Sequence, residues 1–304
     1  MIAAVAIGVG LAAAPAIFQM FGRAPMGGEM ITEFEPYMTE AKVATLRGYL
    51  DTIDLAEAES RTQLRPALVD SGSVEDSGYA LRFPNVATFN DGWSPMRADM
   101  TDLVDTIERN RGNYAAVAAL PPFPLFPWFF VVPGLLIAGS GIAAIRSSVR
   151  RRLLLLILAA LGFAVALAPV ALQMFTRAPE GAEMIDDFRP MMARERVQRV
   201  QLYFVTLGAA EGQLRNAAVP LAAELAGQSP DEAAATYPAI SQLSQRWPAI
   251  VGEFAPMIGA MSDNLDNFAA VDALPSFSLF PWFFVGPGLL VGGLALAARK
   301  QVGA

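Results

Sequence analysis

Two long segments of this chain recur at one fixed spacing of 154 residues. Residues 19–38 and 173–192 are identical at thirteen of twenty positions, and residues 113–134 and 267–288 are identical at seventeen of twenty-two. A repeat of this length is a whole unit, because solenoid repeats have periods of about 20–50 residues. The sequence therefore predicts one unit that is duplicated head to tail, and any fold must accommodate two copies of it.

Four apolar runs are long enough to cross a membrane, since a helix needs about 20 residues to span roughly 30 Å of hydrocarbon. They are residues 2–21, 125–145, 153–175 and 279–298. A secretory signal peptide is the alternative for the first run. Its counterpart lies in the middle of the chain, so we expect the first run to be retained as a span. No run carries a charged residue, which argues against a proton-coupled transporter.

The charges predict the orientation of these spans. Residues 146–152 contain four arginines and no acid, and the last charged residues are Arg299 and Lys300. By the positive-inside rule both regions, and both termini, are expected in the cytoplasm. Residues 22–120 and 176–275 carry more acidic than basic side chains, and we expect both segments outside. The predicted location is the bacterial inner (cytoplasmic) membrane, with the chain crossing it several times.

Together these patterns predict an all-α membrane protein with four transmembrane helices and two helical extracytoplasmic domains. The two copies are expected to form a pseudo-dimer around a pseudo-twofold axis along the membrane normal, since parallel repeats pack in this way. The predicted parts of the first copy (1–146) are a span at 2–21, an outer domain at 22–124 and a span at 125–145. A basic cytoplasmic loop follows at 147–152. The predicted parts of the second copy (153–304) are a span at 153–175, an outer domain at 176–278, a span at 279–298 and a short cytoplasmic tail.

The first repeated motif, Arg-Ala-Pro-x-Gly-x-Glu-Met-Ile, directly follows the first and third runs. Arg23 and Arg177 are placed to reach lipid phosphates or to pair with Glu29 and Glu183. This arrangement is one way to hold an anionic lipid headgroup. The alternative, which we favour, is an interfacial elbow that fixes the angle between the span and the next helix.

The second repeated motif, Pro-x-Phe-x-Leu-Phe-Pro-Trp-Phe-Phe, opens the second and fourth runs. Trp128 and Trp282 are typical of an aromatic belt at the membrane surface. Prolines inside the runs predict helix kinks, which serve either packing or a cavity. These prolines are Pro15, Pro133, Pro169 and Pro287.

The sequence gives little support for catalysis or for a cofactor. It contains no cysteine and no histidine, which excludes the usual zinc, haem and iron–sulfur ligand sets. It has no nucleophile elbow, P-loop or dinucleotide fingerprint, and no motif identifies a family. Acidic outer segments are poor partners for nucleic acid. We expect a protein that is not an enzyme and that binds neither metal nor cofactor.

Two functions remain as expectations. The first is an accessory or scaffold subunit of a bacterial envelope or transport complex, in contact with the lipid bilayer and with other membrane proteins. The second is a membrane module that binds a lipid or a small apolar ligand at an extracytoplasmic site. The state of association beyond the internal pseudo-dimer is left open by the sequence.

Overall fold

A computed structural model gives the fold of residues 1–147 and 149–303. The chain is 88% helical and has no strand among these residues. The α-helices, in chain order, are α1 (Ile2–Ile17), α2 (Met20–Phe34), α3 (Glu40–Glu59), α4 (Arg65–Asp70), α5 (Tyr79–Arg82), α6 (Pro84–Arg109), α7 (Arg111–Ala118), α8 (Phe126–Arg146), α9 (Arg151–Ala171), α10 (Met174–Phe188), α11 (Arg194–Gln213), α12 (Val219–Ala226), α13 (Pro230–Thr236), α14 (Pro238–Asp263), α15 (Leu265–Asp272) and α16 (Trp282–Gly303). Single turns of 3₁₀-helix are Glu35–Tyr37, Asp76–Gly78, Phe123–Leu125 and Phe277–Leu279, and two π-helical turns are Ser60–Leu64 and Leu214–Ala218.

The chain divides into two compact units, and each unit contains parts of both halves of the sequence. The span unit comprises residues 1–33, 110–188 and 264–304, and the loop unit comprises residues 34–109 and 189–263. We call residues 1–146 the first half and residues 153–304 the second half. Ser148, in the predicted basic loop, and Ala304, in the predicted tail, lie outside the residues that the structure describes.

Three helices of the span unit are long and apolar enough to cross a membrane, and a fourth candidate is a bent pair. The three are Phe123–Arg146, Arg151–Ala171 and Trp282–Gln301. The bent pair joins α1 to the helix that follows it, with a bend of 57°. The prediction of membrane-spanning helices is confirmed at this level. The helices of the first and third predicted spans are α1 and α9, which end at Ile17 and Ala171. Each ends four residues earlier than predicted, because a backbone break follows it.

Glycines let the two spans of each half approach to backbone contact. A Cβ atom built on Gly134 in α8 would lie 2.6 Å from the amide nitrogen of Ala12 and 2.6 Å from the carbonyl oxygen of Gly8. In the second half, a Cβ atom on Gly288 would lie at the same distances from Ala166 and Gly162. Small residues at such crossings are how membrane helices pack without a hydrophobic driving force between them. Helix α1 is thereby fixed to α8, and α9 to α16.

The loop unit is a ring of four long helices, two from each half. Helix α3 packs on α6, α6 on α11, α11 on α14, and α14 on α3. Its buried side chains include Leu46, Phe89, Val200 and Phe254, one from each helix. The two segments that the sequence predicted as outer domains both contribute helices to this one unit. The physical reason is that two helices cannot surround an apolar core, whereas four can.

Each half caps a helix of the other half within the loop unit. The Glu59 carboxylate accepts a hydrogen bond of 2.8 Å from the amide of Ile240, in the first turn of α14. The Gln213 amide oxygen accepts bonds of 2.9 and 3.0 Å from the amides of Asn85 and Val86, in the first turn of α6. Positions 59 and 213 are 154 residues apart. Amides in the first turn of a helix have no partner within the helix, so each half completes the other.

Two equivalent ion pairs also join the two halves within the loop unit. Lys42 on α3 pairs with Glu253 on α14, and Arg196 on α11 pairs with Asp99 on α6 at 2.7 Å. The basic residues of the two pairs are 154 residues apart, and so are the acidic ones. Both side chains of the Arg196 pair are largely buried, where breaking a pair by removing one partner is strongly destabilising.

We expect Gly134→Ala to destabilise the span unit, because its new methyl group would collide with backbone atoms that cannot rotate away. Such overpacking costs about 1–3 kcal/mol. Thermal unfolding in detergent, followed by circular dichroism, measures the effect. The matched control is Gly139→Ala on the same helix, where a Cβ atom meets nothing within 4 Å. Equal melting temperatures for the two variants would contradict the close helix contact.

We expect Glu59→Gln to stabilise the protein at neutral pH. Burial raises the pKa of the Glu59 carboxyl, although the amides of Ile240 and Ala239 oppose the rise. The folded protein therefore favours the protonated form, and its stability falls as pH rises from the unfolded pKa of about 4.3 through the higher folded pKa. Gln213, at the equivalent position, shows that an amide can make the same cap.

Melting temperatures of both proteins across a pH series test this expectation. The advantage of Glu59→Gln over the natural protein should grow as the pH rises above about 4.3. The reverse exchange, Gln213→Glu, should add a second loss of stability in the same direction. A difference between Glu59→Gln and the natural protein that does not change with pH would show that the buried carboxyl does not titrate differently on folding.

Candidate functional site

The elbow predicted after the first and third runs is a backbone break at Gln19 and Gln173. Both residues have positive φ angles, 55° and 54°. A side chain in this left-handed region meets the following carbonyl oxygen, which disfavours it by roughly 1–2 kcal/mol per residue. The break ends α1 at Ile17 and α9 at Ala171 and starts the elbow helices α2 and α10. Both halves thus keep the same unfavourable backbone conformation at the same point.

Elbow helix α2 lies antiparallel to helix α15 of the other half and is joined to it near both ends. Near its start, Arg23 Nη1 donates a hydrogen bond of 3.1 Å to the carbonyl of Ala273, the residue that ends α15. Near its end, the Glu33 carboxylate accepts from the side-chain amide of Asn264, the residue that precedes α15. The guanidinium satisfies a carbonyl at the negative end of the α15 dipole, which is a favourable position for a cation.

Elbow helix α10 makes the same two contacts with helix α7 of the first half. Arg177 Nη1 donates 2.7 Å to the carbonyl of Ala119 at the end of α7. Asp187 Oδ2 accepts 2.8 Å from the Asn110 amide at its start. Asn110 and Asn264 are buried, so a lost partner would leave a buried amide unsatisfied. We call these four contacts the reciprocal clasp.

The glycines of the first motif serve close packing and not a turn. A Cβ atom on Gly27 would lie 3.2 Å from the Phe123 ring and 3.3 Å from Val271. The equivalent Gly181 faces Phe277 and Val117 at 3.1 Å. Each elbow helix therefore approaches side chains of both halves, which a larger residue would prevent.

Glu29 and Glu183 are exposed and do not pair with the motif's arginines among the described residues. Glu29 follows Arg23 by six positions, and Glu183 follows Arg177 by the same number. At 100° per residue, this spacing places the two side chains on different faces of a helix. Because both arginines bind helix-end carbonyls, the geometry supports the elbow interpretation of the motif.

The two tryptophans of the second motif face outward, as an aromatic belt requires. Trp128 is 51% exposed and Trp282 is 60% exposed. Each makes an edge-to-face contact with a phenylalanine just after the break, Trp128 with Phe21 at 5.7 Å and Trp282 with Phe175 at 5.6 Å between ring centroids. Each tryptophan therefore also supports the elbow of its own half.

The phenylalanines of the same motif form a column in which equivalent rings of the two halves face each other. The pairs and their centroid distances are Phe123–Phe277 at 6.4 Å, Phe126–Phe280 at 6.2 Å and Phe130–Phe284 at 4.4 Å. Each pair joins residues 154 positions apart, so each lies where a twofold axis relating the halves would pass. The rings of the last two pairs are buried. Offset and edge-to-face ring pairs add about 0.5–1.5 kcal/mol each beyond their burial.

An apolar groove of about 310 Å³ lies beside this column. One wall is a single face of α1, formed by Ile7, Leu11 and Ala14 with Gly10 between them. The lining is completed by Phe18, Met20, Phe130, Pro275, Phe280, Phe283 and Pro287. No lining residue carries a charge or a polar side chain. The groove can hold an apolar group but offers nothing for acid–base or nucleophilic chemistry.

The four prolines predicted to kink the spans lie inside continuous helices. They are Pro15 in α1, Pro133 in α8, Pro169 in α9 and Pro287 in α16. The 57° bend after α1 falls at residues 18–19, beyond Pro15. Pro287 lines the groove. The kinks themselves remain predictions, while the sharp change in direction belongs to the Gln19 break.

Comparison of the chain with family models, with curated proteins and with solved structures finds no significant match. The described residues also contain no group of three or more acidic side chains placed to hold a metal ion. The site is therefore interpreted from its own geometry.

Sequence reasoning found the motifs but missed the clasp, the column and the groove. The column had a signal, because Phe123, Phe126 and Phe130 recur at the spacing of one helix face. No sequence pattern indicated the clasp, because each elbow helix binds a backbone carbonyl and an asparagine that lie more than 50 residues away in the chain. The groove could not be predicted, because its lining combines side chains from both halves.

We expect Arg177→Ala to lower the melting temperature in detergent, because the end of α7 loses a charged hydrogen-bond donor, an interaction of about 1.5–3 kcal/mol when well formed. The loss should be the same with and without added phosphatidylglycerol, since the arginine binds a carbonyl. Thermal unfolding under both conditions measures this. Glu183→Ala, at an exposed position of the same elbow helix, is the control. A destabilisation that appears only with the anionic lipid would instead favour a headgroup site.

Proposed function

We propose that the chain is a tandem duplication whose two copies form a pseudo-dimer around a twofold axis along the membrane normal. The proposal is supported by equivalent contacts at the 154-residue spacing: the clasp, the helix caps, the ion pairs and the column of rings. All of them are made between the halves and none within one half. A half that exchanges this many contacts with its neighbour resembles one subunit of an intertwined dimer.

We also propose that the loop unit lies outside the bacterial inner membrane, with both termini in the cytoplasm. The basic residues around 146–152 and at Arg299 and Lys300 support this orientation, and so does the acidic character of the segments between the spans. The exposed Trp128 and Trp282, at the starts of α8 and α16, suit the outer surface of the bilayer. Both spans then enter the membrane at the same level.

The function that we propose is that of a non-enzymatic accessory or scaffold subunit in an envelope or transport complex. The observation that carries it is the division of the span glycines into two classes. One class packs against neighbouring helices of the same chain and comprises Gly8, Gly134, Gly162 and Gly288. In the other class, a Cβ atom on Gly139 or on the equivalent Gly293 meets nothing within 4 Å. Open small residues on two outward helix faces allow the close approach of a partner's membrane helix.

A second candidate is a module that binds a lipid or another apolar ligand, and the groove beside the ring column favours it. The two functions are compatible in one protein, because Gly10 lines the groove and Gly139 lies on α8 outside its lining. Substitutions at these two positions therefore distinguish them.

The scaffold proposal predicts a stoichiometric membrane-protein partner that depends on the open glycines. We expect Gly139→Leu with Gly293→Leu to lose a partner that the natural protein retains after gentle detergent extraction and mass spectrometry. Gly10→Leu, on the groove, is the control that should keep it. A partner-free natural protein, or a partner that survives the double substitution, would contradict the proposed interface.

Single cysteines introduced into the protein test the orientation in intact cells, since the natural chain contains no cysteine. Ser73→Cys in the loop unit and Val149→Cys between α8 and α9 are both at exposed positions. An impermeant maleimide should label the first in intact cells and the second only after lysis. Labelling with the opposite pattern would reverse the proposed topology and leave the partner test unaffected.

A further inference from the structure

The groove of the span unit is lined by apolar side chains alone. Along α1 its lining runs from Ile7 to Ala14, a length of roughly 10 Å at 1.5 Å per residue. Opposite α1 stand Phe130 of α8 and Phe283 and Pro287 of α16, which belongs to the other half. The groove is thus part of the seam between the halves.

The dimensions of the groove decide which kind of molecule fits. Its volume is about 310 Å³, whereas a membrane helix beside the same face of α1 would occupy on the order of 1,000 Å³. An α-helix with its side chains is about 10–12 Å across, so a partner's membrane helix is several times too thick. A single row of methylene carbons, whose contacts lie at about 3.5–4.0 Å, is thin enough to lie along this face.

We propose that this groove binds one acyl chain of a membrane phospholipid. The inference rests on the proposed membrane location and on the second candidate function. Helices α1, α8 and α16 that form the walls belong to the candidate spans, so the groove opens among lipid chains. Its lining has no polar side chain to orient a polar ligand. A flexible hydrocarbon chain fills such a space by burial and dispersion alone.

The charge at one end of the groove supports a phospholipid as the source of the chain. Met20 lines this end, and Arg23 follows it by less than one turn of α2. Pro275, also in the lining, is two residues beyond Ala273, whose carbonyl accepts one N–H of Arg23. A guanidinium has five N–H groups. The remaining donors are available to the phosphate of a lipid whose chain lies in the groove, whereas the equivalent Arg177 lies on α10, which contributes no residue to the lining.

The groove can be filled without disturbing the fold, which gives a direct test. A Cβ atom on Gly10 meets nothing within 4 Å, so Gly10→Phe places a ring into the space that the chain would occupy. The protein, stripped of lipid in detergent, is titrated with dioleoylphosphatidylglycerol and examined by native mass spectrometry. We expect the natural protein to show one tight phospholipid adduct and Gly10→Phe to bind it about tenfold more weakly.

Two further variants keep the result interpretable. Ala14→Phe fills the groove one turn later and should reproduce the loss of lipid. Gly139→Phe places the same ring on α8, where a Cβ atom likewise meets no neighbour, and should keep the adduct. All variants should have melting temperatures close to that of the natural protein, which shows that a lost lipid adduct does not result from unfolding.

Each outcome decides a separate point. An adduct that is equally tight in Gly10→Phe, or that has the mass of free oleate when both ligands are supplied, would overturn the proposal. No adduct in the natural protein would overturn it as well. If alkaline washing removed the protein from membranes, the membrane location itself would fail. The glycine variants of the partner test can fail without affecting the lipid result.

Discussion

The hydrogen bond from an elbow arginine to the end of a helix in the other half is the interaction on which the span unit depends. Arg177 binds the carbonyl of Ala119, and Arg23 that of Ala273. Together with the buried Asn110 and Asn264, these bonds hold each elbow helix along a helix that its own half does not supply. The ring column and the groove lie where the halves meet as a result.

The same exchange organises the loop unit, where its physical basis is different. There the halves share a four-helix core, and polar contacts such as Glu59 with Ile240 and Arg196 with Asp99 fix how the helices align. Apolar burial supplies most of the driving force, since it is the dominant favourable term in folding. The buried polar contacts specify one arrangement, because any other would leave Glu59 or Asp99 without a partner.

The elbow relates these contacts to the proposed functions. The left-handed residue Gln19 ends α1 early and turns the chain into α2. The early end leaves Phe18 and Met20 lining the groove beside Arg23. The clasp holds α2 at both ends, directly after the unfavourable backbone at Gln19. The site proposed for an acyl chain and the open glycines proposed for a partner helix are therefore separate surfaces of one tightly packed set of spans.

The sequence alone determined the helical class, the apolar spans and the two motifs. Periodicity, length and the 154-residue spacing can all be read from the sequence without knowledge of any tertiary contact. It also placed Trp128 and Trp282 on the surface. Only the tertiary structure decided that the halves are intertwined, that one loop unit replaces two domains and that Phe126 and Phe280 face each other. The reason is physical: a helix end can be satisfied by side chains from its own half or from the other half. The tertiary contacts between the halves, such as those of Gly27 with Val271 and of Gly181 with Val117, select the exchange.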